Sequence, residues 1–118
     1  MKLKVYTYSN CNTCRIALRF LDKHSIEHTE IPIRENPPSG PELRKMLAAQ
    51  HGQIRSLFNT HGMDYRDLKL KDKVSSMRES EAVALLAANG NLVKRPFLIG
   101  DGIHLVGFYE DQWRRDLL

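Results

Sequence analysis

The first third of the chain switches from strand-like to helix-like hydrophobic periodicity and back again. Segment Lys2–Tyr8 alternates along its length and is rich in strand formers, which predicts a first strand. Apolar residues then recur at helical spacing over Asn12–His24, and Thr29–Ile33 returns to alternation. The predicted helical stripe consists of Ile16, Ala17, Phe20 and Leu21. A strand, a helix and a strand within about 35 residues predict a βαβ unit with parallel strands and a right-handed crossover.

The middle of the chain is predicted to be helical. A helix begins at Pro41, capped by Ser39 or Gly40, because proline suits the first helical turn. Shorter helical pieces are predicted over Ile54–Phe58 and Tyr65–Leu68.

A further helix is predicted from a capping box formed by Ser76 and Glu79. Asn89-Gly90 is a typical helix stop and ends it. Together these segments form a helical insert over about residues 39–90.

The last third returns to strands. Segments Phe97–Gly100 and Ile103–Val106 flank a Gly-Asp-Gly turn, which predicts a tight hairpin. Glu110–Leu117 is predicted to be a final helix, with Trp113 in the core. The order of elements predicts an α/β fold class: one domain over residues 1–118, with a mixed four-stranded sheet (βαβ…ββα) interrupted by the helical insert.

Charge and composition restrict the partners. The net charge is +4 and the sequence pI about 9.2, but basic and acidic residues are interleaved, as in Lys69–Lys73. This pattern favours a solvated surface over a nucleic-acid footprint, and it suits anionic partners such as an acidic protein surface, glutathione or an oxyanion. No segment approaches the ~18 apolar residues needed to span a membrane, so we expect a cytoplasmic protein without membrane contact.

The chain has two cysteines, and they form a Cys-x-x-Cys pair at Cys11 and Cys14. A disulfide between them would close a very short loop and add little stability, which favours a chemical use over a structural one. Two alternatives are half of a zinc site and a pair of buried cysteines without a role, the second of which is disfavoured because the turn-to-helix location is polar. Structural zinc needs four ligands, and the chain has no second cysteine pair, so no metal is expected.

The cysteine pair is predicted to lie where the first strand ends and the first helix begins. The amino end of a helix stabilises an anion, and Asn10 or Asn12 can cap it. Arg15 adds positive charge nearby. The sequence therefore predicts that Cys11 is the nucleophile and that Cys14 resolves a mixed disulfide or a sulfenic acid.

The segment Lys94-Arg95-Pro96 precedes the third predicted strand. A proline at the start of a strand is unsurprising, because it has no N–H to give to the ladder. The alternative interpretation is a cis peptide bond between Arg95 and Pro96. In a thioredoxin-like sheet this loop would lie beside the cysteine turn, and a cis proline is expected there. Arg95 would then point toward Cys11, where its guanidinium could stabilise a thiolate or bind an oxyanion.

Taken together, these pieces resemble the arsenate reductase (ArsC) family, and in particular its Spx-like branch. The resemblance spans nearly the whole chain. The matching pieces are Val5-Tyr6, Cys11-x-x-Cys14-Arg15, Leu57-Phe58-Asn59-Thr60-His61-Gly62, Lys94-Arg95-Pro96 and Gly107-Phe108-x-Glu110-Asp111. The resemblance implies a thioredoxin-like sheet with a helical insert, a bacterial cytosolic origin, Cys11 as nucleophile and Arg95 as its cationic neighbour.

The chain also departs from the family's pattern. His61 stands where Spx-like relatives carry arginine, and the late arginine of arsenate reductases would fall near Gly107. Arg55 or Arg66 could substitute for them in space. We expect no bound cofactor and expect glutathione, thioredoxin or glutaredoxin as electron donor. The residues predicted to surround the substrate are Asn10, Asn12, Thr13, Arg15, His61 and Pro96.

Two functions follow as expectations. The first is an ArsC-type or thiol-disulfide reductase. The second is an Spx-like redox-switched regulator that binds the RNA polymerase α subunit and has no turnover. An inert domain with a vestigial cysteine pair is a third interpretation. The intact Cys-x-x-Cys motif suits either redox use.

Overall fold

The computed structural model describes residues 2–118. Its strands are β1 (Lys4–Thr7), β2 (Thr29–Pro32), β3 (Phe97–Gly100) and β4 (Ile103–Val106). Its α-helices are α1 (Asn12–Lys23), α2 (Gly40–Ala49), α3 (Met63–Asp67), α4 (Glu79–Ala88) and α5 (Glu110–Leu117). Short 3₁₀ turns cover Ile54–Leu57, Leu70–Asp72, Val74–Ser76 and Gly90–Leu92.

The four strands form one mixed sheet in the order β2-β1-β3-β4. Strand β1 pairs parallel with β2 and antiparallel with β3, and β3 pairs antiparallel with β4. The parallel pair is joined through α1, as the βαβ prediction requires. The predicted fold class, a thioredoxin-like mixed sheet with a helical insert, is confirmed.

Helices cover both faces of the sheet because strand side chains alternate between faces. Val5 and Leu98 face one side, where they pack with residues of α1 and α5, including Trp113. Tyr6 and Phe97 face the other side, where they pack with the helical insert. The site at the end of β1 is therefore held between two separate hydrophobic layers.

The structure corrects two local predictions. The Ser76–Glu79 capping box is wrong: Ser76 lies in a separate 3₁₀ turn, and Arg78 caps α4 with its backbone N–H donating to Glu81 Oε1 at 3.3 Å. Ile16 is 43% exposed, so it is not part of the buried stripe of α1. Its place on that stripe is taken by Cys14, which is buried.

Other local predictions are confirmed. Ser39 caps α2 and forms a capping box with Glu42. Helix α4 ends before Asn89. Trp113 is fully buried, and its Nε1–H donates to the Gly107 carbonyl at 3.0 Å. Among residues 2–118, every helix is too short or too polar to cross a lipid bilayer.

Candidate functional site

The amino end of α1 is capped by a sulfur atom. Cys11 is the N-cap residue, and its Sγ accepts a hydrogen bond from the Cys14 backbone N–H at 3.3 Å. Its own N–H donates to the Tyr8 carbonyl at 3.1 Å, which fixes the turn between β1 and the helix. The predicted caps Asn10 and Asn12 are wrong, because the Cys11 side chain occupies that role. Negative charge on Cys11 Sγ would therefore meet an N–H donor and the positive end of the helix dipole.

Cys14 lies behind Cys11 and is 1% exposed. Both cysteines are free thiols. The pKa of Cys14 is raised to about 12, first by burial and then by the hydrogen bond and the charge of Cys11. A backbone hydrogen bond from Tyr8 and the charge of Arg95 act in the opposite direction. The two sulfurs thus differ in access: Cys11 is half-buried, whereas Cys14 is enclosed and protonated at neutral pH.

Arg95 approaches the pair from the loop before β3. The Arg95–Pro96 peptide bond is cis, in agreement with the second interpretation of this segment. The Arg95 guanidinium carbon lies 4.9 Å from the centroid of the Tyr8 ring, and Arg34 approaches the same ring at 5.0 Å. A cation held against an aromatic face keeps a defined position. Tyr8 therefore links the turn that carries Cys11 to the Arg95 side chain.

A cavity of about 360 Å³ opens at Cys11. Its lining residues come from the start of α1, the helical insert, the loop before β3 and the segment between β4 and α5. They are Cys11, Thr13, Asn59, Lys94, Arg95, Gly107, Phe108 and Tyr109. A half-exposed thiol and two cationic side chains thus line the same cavity. Because cations bind anionic groups, this arrangement suits an anionic or polarised sulfur-containing ligand.

Lys94 is fixed inside this cavity. Its Nζ donates to the Tyr109 hydroxyl at 2.7 Å and lies 5.2 Å from the Tyr109 ring centroid. Gly107 makes this arrangement feasible. It has a φ of +74°, and a Cβ there would come within 2.9 Å of Lys94 Cε.

A larger cavity of about 640 Å³ lies elsewhere, between the β3–β4 turn and the end of α5. It is lined by polar residues that include His51, His104 and Gln112, and it contains no cysteine. Size alone would select this cavity. We place the site in the smaller one, because only there does a nucleophile meet cationic groups. Within residues 2–118, no group of three or more His, Cys, Asp or Glu side chains is arranged to hold a metal ion.

The sequence and the fold now identify the family. The ArsC family model matches residues 6–115, which include both cysteines, Arg95 and the whole of the cavity lining. The chain belongs to the ArsC family.

Within the ArsC family, the chain is of the Spx-like branch. It is 42% identical over 116 residues to the uncharacterized protein YusI of Bacillus subtilis, and the match covers 98% of each chain. It is 29% identical over 113 residues to the global transcriptional regulator Spx of the same organism, with 96% of this chain and 85% of that protein covered.

Solved ArsC-family structures have the same fold. An ArsC family related protein of Bacteroides fragilis superposes with a TM-score of 0.90 at 37% identity, covering 98% of each chain. A "possible arsenate reductase" of Streptococcus mutans superposes with a TM-score of 0.85 at 38% identity, covering 93% of this chain and 96% of that one.

The structure brings only some of the predicted site residues together. Cys11, Thr13 and Arg95 line one cavity, and Cys14 lies behind Cys11. Pro96, which follows Arg95, is buried, and its carbonyl accepts a hydrogen bond from the Gly107 N–H at 2.8 Å. Asn10, Asn12 and Arg15 are exposed and do not line this cavity. We therefore leave these three out of the candidate site.

His61 lies outside the Cys11 cavity. It is exposed and lines two other cavities, one with Arg55 and one with Arg66. The cavity with Arg55 shares Asn59 and Lys94 with the Cys11 cavity. Neither arginine lines the Cys11 cavity itself, so they do not replace the arginines of the family's pattern there.

Sequence reasoning missed six residues of the site: Tyr8, Asn59, Lys94, Gly107, Phe108 and Tyr109. Asn59, Lys94, Gly107 and Phe108 stand inside the motifs that match the family, so a signal for these four was present in the sequence. Tyr8 and Tyr109 carried none. The pairing of Lys94 with Tyr109 joins residues fifteen positions apart and depends on the path of the chain around β4.

Proposed function

We propose that this chain is a thiol-redox protein of the cytoplasm that reduces disulfide substrates, with Cys11 as nucleophile and Cys14 as resolving thiol. The observation that carries the proposal is the cap of α1. The half-exposed Cys11 sulfur accepts the Cys14 N–H at 3.3 Å, while the Cys14 side chain is enclosed behind it. The N–H donor and the helix end hold this sulfur in position and offer it a hydrogen bond during the reaction.

The reaction begins at the accessible sulfur. The Cys11 thiolate attacks one sulfur of the substrate disulfide, forms a Cys11–substrate disulfide and releases the other half as a thiolate. Cys14 then loses its proton and attacks Cys11 Sγ. The second half leaves as a thiolate, and two electrons have passed from the protein to the substrate, leaving a Cys11–Cys14 disulfide.

The pKa of Cys14 gives these two steps an order. Burial is the main cause of its high value, and the hydrogen bond and charge of Cys11 add to it. Once Cys11 is part of a mixed disulfide it carries no charge, so that contribution is removed and the pKa of Cys14 falls. Formation of the mixed disulfide therefore favours the Cys14 thiolate, while burial still acts to raise its pKa.

An external thiol must reduce the Cys11–Cys14 disulfide after each turnover. Glutathione, thioredoxin or a glutaredoxin could supply the two electrons by the same exchange chemistry. Arsenate is a second oxidised substrate that the family name suggests. Among the residues lining the Cys11 cavity, Arg95 is the only arginine, which favours disulfides over an oxyanion as substrate.

The test uses both cysteine variants. Cys11→Ser should abolish disulfide reduction. Cys14→Ser should retain the first step and accumulate a stable adduct with the substrate half, detected by mass spectrometry of the intact protein. Ser80→Ala, on the exposed face of α4, serves as the control substitution. Full activity of Cys11→Ser would refute the proposal.

The Spx relatives support a second candidate function, a redox-switched regulator that binds the RNA polymerase α subunit. Relatives of that name are 28–29% identical to this chain over most of its length. In this reading, formation of the Cys11–Cys14 disulfide would alter the adjoining surface and there would be no turnover. Association with the α subunit that differs between the reduced and oxidised protein would support it. Absence of association in both states would refute it.

A further inference from the structure

Two cations line the Cys11 cavity without an acidic neighbour. Lys94 and Arg95 are both half-buried, and within residues 2–118 no ion pair joins either to a carboxylate. None of the eight lining residues is acidic. Partly buried positive charge without a partner costs solvation free energy, which a bound anion would recover.

The two cations are held by different aromatic side chains. The Lys94 ammonium group is bound to the Tyr109 hydroxyl at 2.7 Å, whereas the Arg95 guanidinium lies against the Tyr8 ring at 4.9 Å. Tyr8 precedes Cys11 in the chain, and Tyr109 caps α5. Each cation is therefore held by its own tyrosine, one on the turn before α1 and the other at the start of α5.

We propose that Lys94 determines specificity by binding a carboxylate of the disulfide substrate, so that this site prefers carboxylate-bearing disulfides. The inference rests on the proposed function. Cys11 would attack a sulfur while a carboxylate a few bonds away pairs with the Lys94 ammonium group. Asn59 lines the same cavity; its Nδ2 donates one hydrogen to the Asn91 carbonyl at 3.4 Å, and its other N–H offers a second donor to the substrate. A compact oxyanion would instead need several cations around one point, and Lys94 and Arg95 are each held by a different tyrosine.

The experiment compares three disulfides of similar length and different charge: 3,3′-dithiodipropionate (anionic), bis(2-hydroxyethyl) disulfide (neutral) and cystamine (cationic). The full chain carrying Cys14→Ser is mixed with each one. The rate of adduct formation at Cys11 is followed by acid quenching and mass spectrometry. Each rate is divided by that of a free thiol, N-acetylcysteine, with the same disulfide, which removes differences in intrinsic reactivity.

In the Cys14→Ser background, the corrected rate should be about tenfold higher for the anionic than for the neutral disulfide, and lowest for the cationic one. Lys94→Gln should reduce the anionic-to-neutral ratio by about fivefold, and Lys94→Arg should restore most of it because the charge is kept. Lys45→Gln removes the same charge from the exposed face of α2 and should leave the ratio unchanged. Raising the salt concentration to about 0.5 M should compress the ratio.

Competition separates a carboxylate site from an oxyanion site. Suberate matches the length and charge of dithiodipropionate but has no disulfide, and it should slow adduct formation with the neutral disulfide. Arsenate at equal ionic strength should slow it less. Stronger competition by arsenate would overturn the inference, as would a ratio unaffected by Lys94→Gln or lowered equally by Lys45→Gln.

The outcome also distinguishes this inference from the proposed function. If none of the three disulfides forms an adduct at Cys11, the proposed function fails. If all three form adducts at the same corrected rate, the function stands and the inference about Lys94 is refuted. Urea unfolding of each variant shows whether the fold is kept.

Discussion

The two cysteines should differ strongly in reactivity, and the structure sets the size of the difference for Cys14. Its pKa is raised from an ordinary value of 9.0 to about 12, mainly by burial. The difference of three means that the thiolate fraction at neutral pH is about a thousandfold lower than in the unfolded chain. Only the thiolate reacts with an alkylating reagent, so Cys14 should be alkylated at least several hundredfold more slowly in the folded protein.

Iodoacetamide labelling at pH 7 followed by peptide mapping measures this directly. The reference is the same cysteine in the urea-unfolded protein, so that intrinsic thiol reactivity cancels. In the folded protein, Cys11 should be labelled first. In a Cys11→Ser variant, Cys14 should react faster than in the original chain, because the contributions of Cys11 to its pKa are lost, but still more slowly than when unfolded, because burial remains.

Two results would refute this reasoning. Equal labelling rates for Cys11 and Cys14 in the folded protein would mean that Cys14 is not enclosed. An unchanged Cys14 rate in the Cys11→Ser variant would mean that the two sulfur groups do not interact.

Three further predictions concern stability. Glu42 accepts hydrogen bonds from Tyr6 and Ser39 and pairs with Lys4; burial acts to raise its pKa, but these partners outweigh burial and hold it below the ordinary 4.5. The Glu42 carboxylate therefore stabilises the fold fully above about pH 4.5, and this stabilisation is lost as the pH falls through the pKa of Glu42 in the folded protein. Glu42→Gln should lower the free energy of unfolding by about 1–2 kcal/mol at pH 7 and by markedly less at pH 3, as measured by urea unfolding. Gly90→Ala should cost more than about 2 kcal/mol, because the new Cβ would lie 1.9 Å from a backbone oxygen, and an unchanged urea midpoint would contradict this. Trp113→Phe removes part of a buried ring and leaves the Gly107 carbonyl without its hydrogen-bond donor. Thermal unfolding should therefore show a loss of about 1–3 kcal/mol in the free energy of unfolding, and an unchanged stability would contradict the observed packing of Trp113.

Local sequence patterns predicted the elements well where the hydrophobic periodicity agreed with the capping and turn residues at the ends of each element. The βαβ start, the α2 capping box and the Gly-Asp-Gly hairpin are each specified within a few neighbouring residues, and all are observed. The start of α4 was predicted two residues too early, with Ser76 instead of Arg78 as N-cap, because Ser76 and Glu79 have the spacing of a capping box. Such spacing cannot reveal that Ser76 is already engaged in a separate turn, where its hydroxyl donates to the Lys73 carbonyl.

The candidate site was predicted in part for the same reason. Cys11 and Cys14 are neighbours in sequence, so their relation to the helix end could be read directly. Arg95 was placed near Cys11 by the interpretation of Arg95-Pro96 as a cis peptide bond, and the family resemblance implied the same position. The cap itself was assigned to asparagine by residue preference, and the observed cap is a cysteine sulfur whose place depends on the turn hydrogen-bonded to Tyr8.

By itself, the sequence determined the order of the elements, the parallel start of the sheet and the presence of a Cys-x-x-Cys pair at a helix end. These features depend on interactions between residues close together in the chain. Only the tertiary structure decided that Lys94 and Tyr109 join Cys11 and Arg95 around one cavity, and that His61 lies outside it. Those positions depend on how the sheet and the helical insert pack, which is a sum of many distant contacts that no local pattern encodes.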